Sequence, residues 1–245
     1  MSRAVRRSDA RRRLWTARDA VVDGWGAELL GWAIAAIGLS TLAVPVLSRI
    51  APGGIAPALT QAMVWIALAV PVLLGLRRAR PRGLLGIRAI DLAAGLLLGV
   101  LVRGVQGLIE GARGVPAAWP ALVTTDGRIP TGFWAEAAAG TIVTPVVEEL
   151  FFRGVVLICL VVLLRPIAGH RPAVVASIAG STTLFVIAHA LTAPRDGADL
   201  MTLAVLGAVA GVLTTATGRL APAVVMHVVF NATGFALLAI GTLLA

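Results

Sequence analysis

The chain has 245 residues, 58% of them hydrophobic and only 13% charged, and its mean hydropathy is +0.93. A soluble domain carries about a quarter charged residues, so the composition excludes an ordinary soluble protein and predicts an integral membrane protein. The formal net charge is +9, and it comes from arginine, since the chain has no lysine. Because the arginines cluster beside apolar segments, they indicate membrane topology and contact with the lipid bilayer, and we expect no nucleic-acid partner.

Seven apolar segments are long enough to cross a bilayer as helices, which takes about 20 residues. They cover roughly residues 28–48, 58–76, 90–109, 138–164, 172–192, 199–217 and 221–243. We therefore predict an all-α fold, a polytopic membrane helix bundle with about seven transmembrane helices. It forms a single domain over residues 28–245, preceded by an Arg-rich tail over residues 1–27.

The distribution of arginine predicts the orientation of the bundle. Most arginines outside the spans fall on one side, which includes the N-terminal tail and the segment 77–88. Positively charged segments stay in the cytoplasm, so we expect a cytoplasmic N-terminus. The compact length and short loops are typical of a protein of a bacterial plasma membrane.

Three polar residues interrupt the third span, namely Arg103, Gln106 and Glu110. Arg103 and Glu110 lie on one face of the helix. They either pair with each other, extend towards the interface or line a cavity, and we favour a structural role.

Two features precede the polar centre of the fourth span. The segment 110–137 contains Gly, Pro, Thr and Trp, which predicts a loop with a short interfacial helix near Phe133 and Trp134. Pro145 lies inside the span, one turn before an acidic pair. A proline at this place is expected to kink the helix or to open its hydrogen-bond ladder locally.

The acidic pair consists of Glu148 and Glu149 and is followed by Arg153. Glu149 precedes Arg153 by one helical turn, which is the favoured order for an ion pair. Glu148 points about 100° away, so we expect Arg153 to neutralise Glu149 and Glu148 to face a polar cavity. The alternative is an ion-pair network that only joins two helices, but one of two adjacent acids then lacks a local partner.

Histidines occur in two later spans. His189 lies one turn after Phe185 in the fifth span, and alone it is typical of a histidine that bonds a carbonyl between helices. His227 and Asn231 project from one face of the last span. Together they can offer two donors to a developing oxyanion, or they form an interhelical hydrogen-bond pair.

The three segments resemble, in order, the motifs of the CPBP family, which comprises the CAAX prenyl endopeptidases and the bacteriocin-processing or immunity proteins called Abi. The matching segments are Glu148-Glu149-x-x-x-Arg153, Phe185-x-x-x-His189 and His227-x-x-x-Asn231. The resemblance covers roughly residues 138–235, and residues 1–137 show no further motif.

The resemblance implies an intramembrane glutamate protease that hydrolyses a peptide bond of a membrane-associated protein or peptide and needs no cofactor. Glu148 and His189 then activate the water. His227 and Asn231 form the oxyanion hole, and Glu149 with Arg153 supports the site.

Two other classes of function stay open at this stage. Two histidines and one carboxylate suit a catalytic zinc ion, so a zinc-dependent membrane protease with Glu148, His189 and His227 as ligands is one alternative. A non-enzymatic immunity or scaffold protein that keeps the polar cluster for stability is the other. A transporter is a weaker alternative, because the chain shows no internal repeat.

Overall fold

The computed structural model describes residues 15–17, 22, 24–50, 55–114, 120–122, 124 and 128–244. Among these residues there is no β-strand, and seven helices are long and apolar enough to cross a membrane. They are α1 (Ala27–Ile50), α2 (Ala56–Arg78), α3 (Ala89–Gly111), α4 (Phe133–Ala168), α5 (His170–Thr192), α6 (Gly197–Thr217) and α7 (Ala221–Leu244). The predicted all-α bundle of seven spans is thereby confirmed. Most of the predicted tail, residues 1–27, lies outside the described residues.

The fourth helix, α4, is longer than its predicted span. The predicted short helix near Phe133 and Trp134 is present as Phe133–Ala138, but it continues without a break into the spanning helix. The physical reason is burial, because the ring of Phe133 packs edge-on against Trp134 at 5.2 Å and against Phe235 of α7 at 6.0 Å between centroids. Because Phe133 is packed against α7, the chain is helical from this residue onwards into the span.

The middle of α4 is the centre of the bundle. Residues Phe151 to Cys159 of this helix are buried, and they pack against α1, α2, α5 and α6. A helix surrounded on all sides by other helices is apolar all round, which explains why this segment reads as one continuous hydrophobic run. The Glu148, Glu149 and Arg153 side chains therefore start from the most enclosed part of the fold.

α3 and α7 approach each other closely at two glycines. A Cβ atom at Gly95 would lie 2.8 Å from the carbonyl oxygen of Pro222, and one at Gly99 would lie 2.7 Å from that of Met226. Only a residue without a side chain permits this backbone contact, which is a common way for membrane helices to associate. The contact fixes the position of α7 immediately beside His227.

The first turn of α7 is also held by α3 and by the chain before it. The guanidinium of Arg219 donates two hydrogen bonds of 2.6 Å to the carboxylate of Asp91, which is a bidentate ion pair. The amide of Leu220 donates to the carbonyl of Leu84 at 2.9 Å, and the indole of Trp15 donates to the carbonyl of Gly218 at 2.9 Å. These contacts set where α7 begins.

Candidate active site

The polar residues of three helices meet in one cavity of about 900 Å³. Among the residues that line this cavity are Glu148 of α4, His189 of α5, and His227 and Asn231 of α7. All four residues that were predicted as catalytic thus face the same space. Glu149 and Arg153 lie behind it and are fully buried.

The convergence depends on the relative height of α4 and α7. Leu220, just before the start of α7, lies beside Gly154, since a Cβ atom there would be 3.8 Å from Leu220 Cδ1. The helices run in opposite directions from this point. Glu148 lies six residues before Gly154 on α4, and His227 lies seven residues after Leu220 on α7. Since each residue of a helix rises by about 1.5 Å, Glu148 and His227 lie at nearly the same height.

Glu148 stands between the two histidines. Its Oε1 atom is 3.7 Å from Nε2 of His189, and its Oε2 atom is 3.8 Å from Nε2 of His227. These distances exceed those of direct hydrogen bonds, so neither histidine closes off the carboxylate of Glu148. The expectation that Glu148 faces a polar cavity agrees with this geometry.

The ring of His189 has a defined orientation. Its Nδ1 atom lies 2.9 Å from the carbonyl oxygen of Phe185, and because a carbonyl only accepts, Nδ1 carries the proton. In the neutral ring Nε2 is then an acceptor, and this is the atom that faces Glu148. The hydrogen bond is within α5, so it differs from the interhelical bond that the lone residue suggested.

One carboxylate oxygen of Glu149 contacts both Arg153 and His227. Its Oε1 atom accepts a hydrogen bond from Arg153 Nη1 at 2.9 Å and lies 2.9 Å from His227 Nδ1. The ion pair with Arg153 is the one that the helical spacing predicts. The contact with His227 was not predicted, because it joins α4 to α7 and has no signature in local spacing.

Phe185 connects the buried charge to both histidines. Its ring lies 4.4 Å from that of His189 and 6.0 Å from that of His227 between centroids. The Arg153 guanidinium carbon is 4.6 Å from the same ring centroid, within the range of a cation–π contact. Phe185 is therefore a core residue that sets the spacing of the site.

Asn231 is bonded to backbone that has lost its helical partner. Its Nδ2 atom donates to the carbonyl of Gly140 at 2.9 Å. The segment Ala139–Val143 is π-helical, and the Thr144 amide donates to Ala139, one residue further back than in an α-helix. The next residue, Pro145, has no N–H, so neither it nor Thr144 satisfies Gly140.

Arg103 and Glu110, which share a face of the third helix, have different surroundings in the structure. Arg103 lines the cavity, whereas Glu110 pairs with Arg113 at 3.6 Å. A pair between Arg103 and Glu110, one of the predicted options, is therefore wrong. The sequence did contain a signal for the place of Arg103 in the cavity lining. Arg103 lies in a span, and no Asp or Glu stands one helical turn away to pair with it.

The two histidines and Glu148 are also the ligands that the zinc alternative requires. Among the described residues, no group of three His, Cys, Asp or Glu side chains is arranged to hold a metal ion. Each histidine turns its Nε2 atom to a different oxygen of Glu148. The zinc alternative stays a prediction that elemental analysis addresses.

Comparison with known proteins agrees with the motifs. Residues 130–233 match the family model described as Rce1-like, type II CAAX prenyl endopeptidase Rce1-like. The resemblance to the CPBP family is confirmed over this segment, which includes all six predicted site residues, and it supports a CAAX-type intramembrane protease in general terms. The comparisons with curated proteins and with solved structures gave no match.

Proposed function

We propose that this chain, whose residues 130–233 carry the Rce1-like pattern, is an intramembrane endopeptidase in which Glu148 activates water. The observation that carries the proposal is the position of Glu148 between the Nε2 atoms of His189 and His227 in one cavity. The substrate is a membrane-associated protein or peptide. The N-terminus lies in the cytoplasm, in accordance with the arginine distribution.

The nucleophile is a water molecule shared by Glu148 and His189. A water between Glu148 Oε1 and His189 Nε2 donates one hydrogen to each, since both atoms are acceptors. Its lone pairs then point to the substrate carbonyl. Glu148 takes a proton as the water oxygen bonds to the carbonyl carbon, which is general-base catalysis.

The oxyanion is stabilised from α7. Asn231 keeps one N–H group for it, because Gly140 accepts only the other. His227 donates from Nδ1 to Glu149, and it offers Nε2–H to the oxyanion as an imidazolium, the form in which both ring nitrogens donate. Preorganised donors of this kind lower the barrier most in an enclosed site.

The last step returns the proton. Glu148 gives the proton it took from water to the leaving amine as the C–N bond breaks, and the products are a carboxylic acid and an amine. Glu149 and Arg153 take no proton in this scheme. Their part is to hold His227 in one orientation through the Nδ1 contact.

The proposal is tested with Glu148→Gln in purified protein reconstituted into liposomes with mixed hydrophobic peptides. We expect hydrolysis to fall at least about a hundredfold with no loss of folded protein. Glu136→Gln is the matched control, since Glu136 is an exposed acid on the same helix. Full activity of Glu148→Gln would contradict the mechanism, and zinc in stoichiometric amount by elemental analysis would favour the metal-dependent alternative.

A further inference from the structure

The cavity that contains Glu148 opens at one end of the bundle. Its lining includes Pro57 in the first turn of α2, Thr192 at the end of α5, and Arg195 in the loop between α5 and α6. Pro57 and Arg195 are exposed, so the cavity reaches the solution between the ends of these helices. We call this end of the bundle, where α1, α3 and α5 end and α2, α4 and α6 begin, the open end.

The other end of the bundle, the closed end, is sealed beneath the site. None of the described residues that line the cavity precedes Arg103 on α3 or His227 on α7. Leu220 and Leu84, which are joined by a backbone hydrogen bond of 2.9 Å, are both buried. The indole of Trp15 is also buried and bonds the backbone just before α7. The described residues at the closed end thus block the way to the site.

The arginines are distributed unequally between the two ends. The described arginines near the closed end are Arg77, Arg78, Arg80, Arg82, Arg88, Arg165, Arg171 and Arg219. Those near the open end are Arg49, Arg113, Arg128 and Arg195. The tail over residues 1–27, which precedes α1 on the closed side, carries seven more. Arginine-rich segments stay in the cytoplasm, so the distribution favours a cytoplasmic closed end and an extracytoplasmic open end, in agreement with the proposed cytoplasmic N-terminus.

We infer that the active site takes its substrate from the extracytoplasmic side of the membrane. The inference rests on the proposed function and its orientation, and it narrows the class of substrate. A peptide bond has to reach Glu148, and the cavity leads there from the open end. The substrate is therefore a polypeptide segment on the extracytoplasmic side, whereas a cytoplasmic chain meets the closed end.

The depth of the site sets how much of such a segment has to be extended. Trp65 of α2 donates to the hydroxyl of Thr144 of α4 at 3.2 Å, so the two lie at one level. Trp65 is eight residues from Pro57 at the cavity mouth, and Thr144 is four residues from Glu148. At 1.5 Å per residue the path from the mouth to Glu148 is about 18 Å long. An extended chain covers it in about five to six residues, so the segment has to be free of folded structure over this length.

Labelling of single cysteines tests the side of access without a substrate. Cys159 is the only cysteine of the chain and is buried, so Cys159→Ala gives a background without a thiol. Three variants are made in this background: Thr60→Cys in the cavity lining, Pro194→Cys as an exposed position at the open end, and Arg80→Cys as an exposed position at the closed end. Spheroplasts that express the full chain are treated, intact or permeabilised, with a maleimide that does not cross membranes.

We expect the maleimide to label Thr60→Cys and Pro194→Cys in intact spheroplasts, and Arg80→Cys only after permeabilisation. Labelling of Arg80→Cys but not of Pro194→Cys in intact spheroplasts would invert the orientation and overturn the inference. Labelling of Pro194→Cys with protection of Thr60→Cys would mean that the cavity does not open on that side, which overturns the inference as well. Leu238→Cys, in the cavity lining on α7, replaces Thr60→Cys if that variant does not fold.

Sealed membrane vesicles separate the side of access from the proposed hydrolysis. The probe is an unstructured peptide with a hydrophobic centre and charged ends, which does not cross the bilayer. We expect Glu148-dependent cleavage of this peptide in right-side-out vesicles and its loss in inverted ones. Cleavage confined to inverted vesicles would overturn the inference and leave the proposed function intact. Labelling of Thr60→Cys from outside without any Glu148-dependent cleavage would contradict the protease and support the side of access.

Discussion

Asn231 of α7 donates its side-chain hydrogen bond to a carbonyl, that of Gly140, which Pro145 leaves without a helical partner. Pro145 interrupts the backbone hydrogen bonds of α4, and Asn231 donates to the carbonyl that is left over. We treat Pro145, Gly140 and Asn231 as one unit. The unit fixes one N–H group of Asn231, a residue that lines the cavity. It also explains why a proline is tolerated next to the acidic pair.

Pro145→Ala tests this unit. The alanine supplies an N–H group that competes for the carbonyls before it, so we expect Asn231 to lose its fixed orientation. The expected result is a fall of about tenfold or more in kcat with little change in KM, while thermal stability stays the same or rises because a helix-interior proline is removed.

Two comparisons make the Pro145 experiment specific. Pro166→Ala changes an exposed proline near the end of the same helix and is expected to leave kcat unchanged. In a double-mutant cycle, Pro145→Ala should add little to the loss caused by Asn231→Ala, since both act through one hydrogen bond. Fully additive losses in kcat would contradict the coupling.

The buried pair of Glu149 and Arg153 gives a second prediction. Glu149→Gln leaves the guanidinium of Arg153 buried without its counter-charge, so we expect a loss of about 3–5 kcal/mol in the free energy of unfolding. The double variant Glu149→Gln with Arg153→Met removes both charges and should recover much of that stability. Unfolding in detergent, followed by circular dichroism, measures both effects.

Activity separates the two roles of Glu149. The double variant should stay impaired in hydrolysis, because His227 no longer has a carboxylate at Nδ1. Recovery of stability together with full activity would mean that Glu149 only balances Arg153. The activity of the double variant therefore tests whether the contact between Glu149 and His227 matters for hydrolysis. The stability measurement alone does not test this.

The helical spans were predictable from sequence because length and hydropathy dominate membrane insertion. The ion pair of Glu149 and Arg153 was predictable for a similar reason, since one turn of a helix fixes which residues are neighbours. The contact of Glu149 with His227 depends on how α4 and α7 pack, and no spacing within either helix contains that information. The same holds for the meeting of Glu148 with both histidines, where only the family resemblance pointed to it.

Other features were missed because tertiary contacts override local signals. The aromatic start of α4 at Phe133 resembles an interfacial anchor, but its burial against Phe235 makes it the first turn of a spanning helix. The local opening of the hydrogen-bond ladder before Pro145 was predicted, but its form, the π-helical segment Ala139–Val143, was not. A pair between Arg103 and Glu110 was one of the predicted options because the two share a helix face, yet Glu110 pairs with Arg113 instead.

The cap of α6 provides a pH-dependent prediction outside the spans. The amide of Asp199 donates to Asp196 at 3.0 Å, and Arg113 pairs with the same carboxylate. These contacts hold the pKa of Asp196 below its usual range. A depressed folded pKa stabilises the protein above the unfolded value of about 3.9, and this contribution is lost as the pH falls through the folded pKa.

Asp196→Asn measures that contribution. The difference in unfolding midpoint between wild type and variant should be largest near neutral pH and should shrink as the pH falls below about 4. Glu136→Gln, which removes an exposed carboxyl from α4, is the matched control for the loss of one negative charge. A difference for Asp196→Asn that is constant with pH would mean that the charge of Asp196 does not contribute.

The close contact of α3 with α7 leads to a prediction with a control on the same helix. Gly99→Ala places a Cβ atom 2.7 Å from the Met226 carbonyl, whereas a Cβ atom at Gly107 meets nothing within 4 Å. We expect Gly99→Ala to lower the free energy of unfolding by about 1–3 kcal/mol through overpacking. Gly107→Ala should be neutral or stabilising by about 0.5–1 kcal/mol, because alanine loses less conformational freedom in a helix.

The activity of Gly99→Ala adds a functional consequence to the change in stability. Met226 immediately precedes His227, so a shift of α7 away from α3 moves the imidazole relative to Glu148 and Glu149. We expect hydrolysis to fall in the fraction of Gly99→Ala that is still folded, and Gly107→Ala to match the wild type. Normal turnover per folded molecule in Gly99→Ala would show that the contact serves packing alone and that His227 is held by Glu149 instead.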